Sequence, residues 1–179
     1  MTDSERLQEL YKDHAQLPYI GPDRDLAVWL LEGKPVPKRN MERLDNGLLA
    51  GDIILLWRIG FGTFTTDSFF PKYFEFTYGI NASAHLAALV DQGYAYKEKA
   101  FASLDHINAA AKKAILKSKK VNGLSKMKAA DLDRALAENF TEEELAQSFS
   151  VRGYELTEKG RQALAAHQEV VDRHPQKKF

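Results

Sequence analysis

Seven lysines stand in residues 106–130 with no acid among them: Lys112, Lys113, Lys117, Lys119, Lys120, Lys126 and Lys128. Ammonium groups at this density can neutralise phosphates and release counterions from a nucleic acid. The competing reading is a solvated helix face neutralised by its neighbours, and Glu142, Glu143 and Glu144 follow within reach. Little else in the chain suggests chemistry. The histidines are His14, His85, His106, His167 and His174. No two stand three or four apart, so no helical metal face is visible. His167 and His174 read as surface residues. Asp23 and Asp25 flank an arginine without a calcium-loop pattern. Gly60-Phe61-Gly62 lacks the Gly-Lys-Ser/Thr of a phosphate loop, and no Gly-x-Ser-x-Gly occurs. Cysteine is absent, which removes thiol nucleophiles, disulfides and sulfur-ligated metals. The expectation is a non-enzymatic protein with no catalytic residue, metal or cofactor.

The lysine block is hidden by the total charge. The 179 residues hold 25 basic and 25 acidic side chains, a net of zero. By segment, residues 1–32 carry −4, 33–105 zero, 106–130 +7, 131–160 −5 and 161–179 +2. A basic block in a neutral chain is a partner signal. The acidic start lacks the apolar stretch of a signal peptide. Ile53-Ile54-Leu55-Leu56-Trp57 is far shorter than the ~20 residues of a membrane span. A soluble cytoplasmic protein with no membrane partner is expected.

The elements that must carry these residues can be read from spacing and caps. Leu7, Leu10, Tyr11 and His14 predict a helix over 3–16, and Pro22 and Gly33 frame one from Asp23 to Glu32. Residues 34–38, with two prolines, read as an extended linker. Leu44, Leu48, Leu49, Ile53, Leu56 and Trp57 predict a helical face broken near Gly51. Pro71 to Tyr78 reads as a short aromatic helix. Asn81 caps a helix that Gly93 ends, and Tyr94–Lys97 alternates as a strand. Val151–Thr157 reads as a second strand, and Thr157 caps a last helix that Pro175 ends. Two lone strands are satisfied most simply by pairing with each other.

Two stretches carry a resemblance. Residues 79–94, with Leu86, Leu89, Gly93 and Tyr94, resemble the third helix and first wing strand of winged helix-turn-helix proteins. Residues 154–164, Tyr-Glu-Leu-Thr-Glu-Lys-Gly-Arg-Gln-Ala-Leu, are similar to the second wing strand and following helix of bacterial winged-helix regulators. The resemblance implies a DNA-binding helix over Asn81–Gln92. Its expected outward residues, Asn81, Ser83, Ala84, His85, Ala88, Asp91 and Gln92, include no Arg or Lys, which argues against groove reading. Residues 98–150 would then be an insertion at the wing tip, tolerated because closure entropy grows slowly with length.

Within it, residues 121–136 resemble the helix-extended-helix modules of the SAP domain and of the N-terminal domain of the terminator Rho. Such modules bind DNA or RNA or sit beside a domain that does. The implied nucleic-acid contacts are Lys112, Lys113, Lys117, Lys119, Lys120, Ser125, Lys126 and Lys128. Ile107, Ala110, Ala111, Ala114 and Ile115 would pack helix 106–120, with Ser125 capping the next helix and the lysines left outside.

The fold expected is mainly α (α+β): a winged-helix-like frame with a two-stranded wing and an inserted helix-extended-helix hairpin. Residues 1–40 form an N-terminal helical arm and linker, 41–97 plus 150–175 the split frame, and 105–140 the module. The alternative function is a protein-interaction or scaffold platform, a homodimer included, that binds no nucleic acid.

Overall fold

The computed structural model describes residues 1–14 and 16–175. In chain order it has α1 (Asp3–Leu10), α2 (Leu26–Leu31), α3 (Ala50–Gly60), α4 (Tyr73–Phe76), α5 (Ala82–Asp91) and β1 (Ala95–Lys97). There follow α6 (Ala109–Lys117), α7 (Ala129–Asn139), α8 (Glu142–Ser148), β2 (Tyr154–Leu156), α9 (Glu158–Ala166) and α10 (Gln168–Arg173). Short 3₁₀ turns lie at Lys38–Met41, Phe101–His106 and Leu124–Lys126. The fold is mainly α with one small sheet, β1 paired with β2. The ladder is antiparallel: Glu98 N–H donates to the Gly153 carbonyl at 2.8 Å and Thr157 N–H to that of Tyr94 at 3.1 Å. No helix among the described residues is long and apolar enough to cross a membrane.

The chain divides into two compact units. The first holds Met1–Gly60, Phe69–Ala95 and Leu156–Phe179, the second Phe61–Ser68 and Tyr96–Glu155. The stretch read as an N-terminal arm therefore groups with the first unit.

In the first unit α3 is the central helix. Every residue from Ala50 to Leu56 is buried, and α5, α9, α10 and the Lys38–Met41 turn pack on it. The predicted break at Gly51 does not occur. Gly51 is the second residue of a continuous helix, and a Cβ there would stand 2.8 Å from Ile80 Cδ1. The glycine permits close packing; the helix starts late because Leu44 and Leu48 lie in a turn joined by the Leu44 N–H to Leu48 carbonyl bond.

α1 also ends earlier than predicted, at Leu10, where buried Tyr11 donates its hydroxyl to the Val36 carbonyl at 2.6 Å. The last helix is two, α9 and α10, parted at His167 (φ −124°, ψ 41°). His167 and His174 are buried, not at the surface. His167 bonds Asp45 at 2.8 Å and Glu169 at 3.1 Å, and His174 bonds the Tyr78 hydroxyl at 2.6 Å.

Thr157 caps α9 as expected, accepting the Gly160 N–H at 3.1 Å, and its own hydroxyl donates to the Gly93 carbonyl at 2.6 Å. Gly160 permits a close approach, for a Cβ there would meet the Tyr94 carbonyl oxygen at 2.0 Å.

In the second unit, residues 64–66 lie antiparallel to the start of β2. Thr65 bridges Gly153, and Tyr154 N–H donates to the Phe64 carbonyl at 3.1 Å. Its core joins Leu104, Leu116, Leu124, Leu132, Leu136, Phe140 and Leu145.

Candidate nucleic-acid interface

The lysine block lies on α6, α7 and the segment between them, all in the second unit. Asn108 caps α6 by accepting the Ala111 N–H at 2.8 Å. α6 is shorter than the expected 106–120, because residues through His106 form a separate 3₁₀ turn. Its packing side also differs. Ala110 and Ala114 are exposed, while Lys112, Ile115 and Leu116 are buried. α6 and α7 pack together, with Leu132, Ala135 and Leu136 as the buried side of α7. The turn between them uses Gly123 in the left-handed region (φ 78°) and Lys120 at φ 58°. α8 was not foreseen, although Thr141–Glu144 is a complete capping box in sequence.

The seven lysines do not form one set. Lys112 is buried, its side chain 9% exposed, and its Nζ lies 2.7 Å from Asp133 Oδ1. Thus it is not left outside. Its partner, Asp133, stands on α7. Lys119 pairs with Glu144, donates to the Asn139 carbonyl at 2.6 Å and sits 4.4 Å above the Phe140 ring. The same contact holds the Glu144 carboxyl below its ordinary range, first through the Lys119 hydrogen bond and then through the Thr141 backbone.

Lys113, Lys117, Lys120, Lys126 and Lys128 make no ion pair with any described residue. Lys113 is half-buried; the other four are exposed. Lys117 ends α6, Lys128 precedes α7, and the segment joining those two helix ends carries Lys120 and Lys126. Four free ammonium groups therefore share the loop end of the helix pair.

Ser125 is exposed in the Leu124–Lys126 turn and does not cap α7. Lys128 holds the cap position, and its N–H donates to Asp131 Oδ2 at 2.9 Å. That carboxylate already occupies part of the helix N-terminus where a phosphate would be favoured.

α5 presents Ser83, Ala84, Ala87, Ala88, Asp91 and Gln92 to solvent, without a cation. His85, expected to be outward, turns back and meets Asp52 Oδ1 at 2.7 Å. Among the described residues, no group of three or more His, Asp or Glu could hold a metal ion.

No protein-family model, no curated protein and no solved structure matches this chain.

Proposed function

We propose that this is a non-enzymatic nucleic-acid-associated protein that binds the DNA or RNA backbone through the loop end of α6 and α7. The carrying observation is the placement of Lys117, Lys120, Lys126 and Lys128: exposed, unpaired and at one end of a helix pair. Lys113 is a lesser member, and Lys112 and Lys119 are committed to internal partners.

The order of elements supports a winged-helix reading of the frame. It runs helix α3, extended residues 64–66, helices α4 and α5, β1, a long excursion, β2 and α9. A neutral α5 makes that frame a holder of the lysine-bearing module rather than a reader of bases. We place the protein in the cytoplasm, a setting that its lack of cysteine fits.

A titration of labelled duplex DNA and of structured RNA, monitored by anisotropy over a salt series, tests the proposal. Three to four phosphate contacts give a log–log slope of about −3 to −4 on duplex DNA. The pair K126E/K128E weakens binding by about tenfold or more. Salt-independent binding, or affinity unchanged by that pair, overturns the lysine grip.

One observation favours a second reading, an interaction platform. Phe69, at the head of the aromatic segment 69–78, is 81% exposed. A homodimer in equilibrium sedimentation that Phe69→Ser dissolves, with no nucleic-acid binding, would select that reading.

A further inference from the structure

Two adjoining cavities in the first unit have no role in the proposal above. One, of about 230 Å³, is walled by Arg39, Asn40, Tyr78 and Arg173. The other, of about 530 Å³, is walled by Arg24, Trp29, Glu32, Lys34, Pro35 and Phe76. Pro37 and Thr77 line both.

The smaller cavity has two walls held by hydrogen bonds and two exposed cations, of which Arg173 also feels the Glu169 carboxylate. The Tyr78 hydroxyl is engaged by His174 at 2.6 Å, and Asn40 Nδ2 donates to the Thr77 carbonyl at 2.8 Å. His174 itself is biased toward its neutral form, by burial and then by the charge of Arg58. The Arg39 and Arg173 side chains make no hydrogen bond or ion pair with any described residue. Both guanidinium charges reach the Tyr78 hydroxyl, opposing the burial and the Tyr73 neighbour that push it up to about 12.

The larger cavity offers two aromatic side chains, Trp29 and Phe76, among the charged residues Arg24, Glu32 and Lys34. Trp29 is buried beneath it, and Phe76 is 45% exposed. One face of Phe76 is covered by the Arg24 guanidinium at 4.3 Å, which Glu75 holds at 2.7 Å. A concave space of a few hundred Å³ with aromatic walls and convergent charged groups is of a size for a small molecule.

The geometry points to a phosphomonoester on a flat apolar body as the ligand, its phosphate between Arg39 and Arg173 and its body against Trp29 and Phe76. The two guanidiniums select the anion. One guanidinium satisfies both oxygens of a carboxylate in a forked pair, whereas a phosphate monoester has three terminal oxygens and about −1.5 to −2 charge to share between two.

Calorimetric titrations of the full chain with phenyl phosphate, inorganic phosphate and benzoate test this. Phenyl phosphate binds at least about tenfold tighter than either of the others. Arg39→Ala and Arg173→Ala each weaken it by about tenfold, and Phe76→Ala weakens phenyl phosphate while leaving inorganic phosphate unchanged. Near-ultraviolet circular dichroism confirms that each variant is folded. The lysine variant K126E/K128E keeps full affinity for phenyl phosphate, which separates this site from the nucleic-acid surface. Binding unchanged by the two arginine substitutions overturns the site. Equal affinity for phenyl phosphate and inorganic phosphate overturns the role of the larger cavity, and benzoate binding as tightly as phenyl phosphate overturns the choice of anion.

Discussion

Lys112 belongs to the basic run by sequence and to the helical core by position. Its ammonium is almost removed from water and depends on the Asp133 carboxylate at 2.7 Å. Removing one partner of such a pair leaves an unpaired buried charge, whereas replacing the lysine by an apolar residue of similar length does not. Asp133→Ala should therefore destabilise the protein by about 1–3 kcal/mol, while Lys112→Met should be within about 1 kcal/mol of the parent. Urea denaturation of both variants checks this, and equal losses would show that the pair is not the cause. Lys112→Met should also leave nucleic-acid affinity unchanged, since the side chain offers nothing to a phosphate. The positions of the lysines were legible in the sequence, and their availability was not. Glu144 was within reach by sequence as a neutralising neighbour, whereas the pairing of Lys112 with Asp133 depended on the packing of α6 on α7, which spacing along the chain does not report.

At the level of elements, the parts set by local chemistry were legible. Asn81 caps α5 and Thr157 caps α9, because a short polar side chain can reach the N–H groups of the first turn. Both strands lie within the segments read as strands. Where tertiary packing decided, the pattern misled. Gly51 looked like a break and is a packing contact, and His167 looked like part of one helix and divides two. α9 separates the two kinds of determinant. Thr157→Ala removes a cap and the bond to the Gly93 carbonyl, at a cost of about 1–2 kcal/mol. At about 2–4 °C per kcal/mol for a chain of this size, melting falls by several degrees. Gly160→Ala should gain up to about 1 kcal/mol of helix propensity. Its Cβ, however, would overlap the Tyr94 carbonyl oxygen at 2.0 Å, so the net loss should exceed that of Thr157→Ala in thermal denaturation. A more stable Gly160→Ala would show that α9 can move off the strand without cost.

For the molecule as a whole, balanced charge describes an average. The basic module pairs its charge internally at Lys112 and Lys119 and leaves it unpaired among the described residues at its loop end, so a zero net charge coexists with a local positive excess. The mainly α fold class was legible from caps and periodicity. The division into two units was only partly so, because Phe61–Ser68 joins the second unit from a distant part of the sequence. Nothing in the spacing of the lysines or aromatics announced the cavities around Arg39 and Arg173.

The two buried histidines near the end of the chain couple folding to protons in opposite senses. Burial pulls His167 down, but its bonds to Glu169 and Asp45 win, so its folded value lies above the ordinary 6.5. Its stabilising effect is complete below 6.5 and fades as pH rises through the folded value. His174, lowered by burial and by Arg58, stabilises above 6.5, and that effect fades as pH falls toward its folded value. Unfolding near neutrality thus releases a proton at one site and captures one at the other. The His167 term should therefore offset part of the loss that the His174 term brings on mild acidification of the parent. In His167→Gln, which keeps only the His174 term, the unfolding free energy should fall more steeply between pH 7.5 and 5.5, as urea titrations at those values would register. The two histidines thus set opposing proton terms at the same end of the chain, one released and one captured as the fold opens.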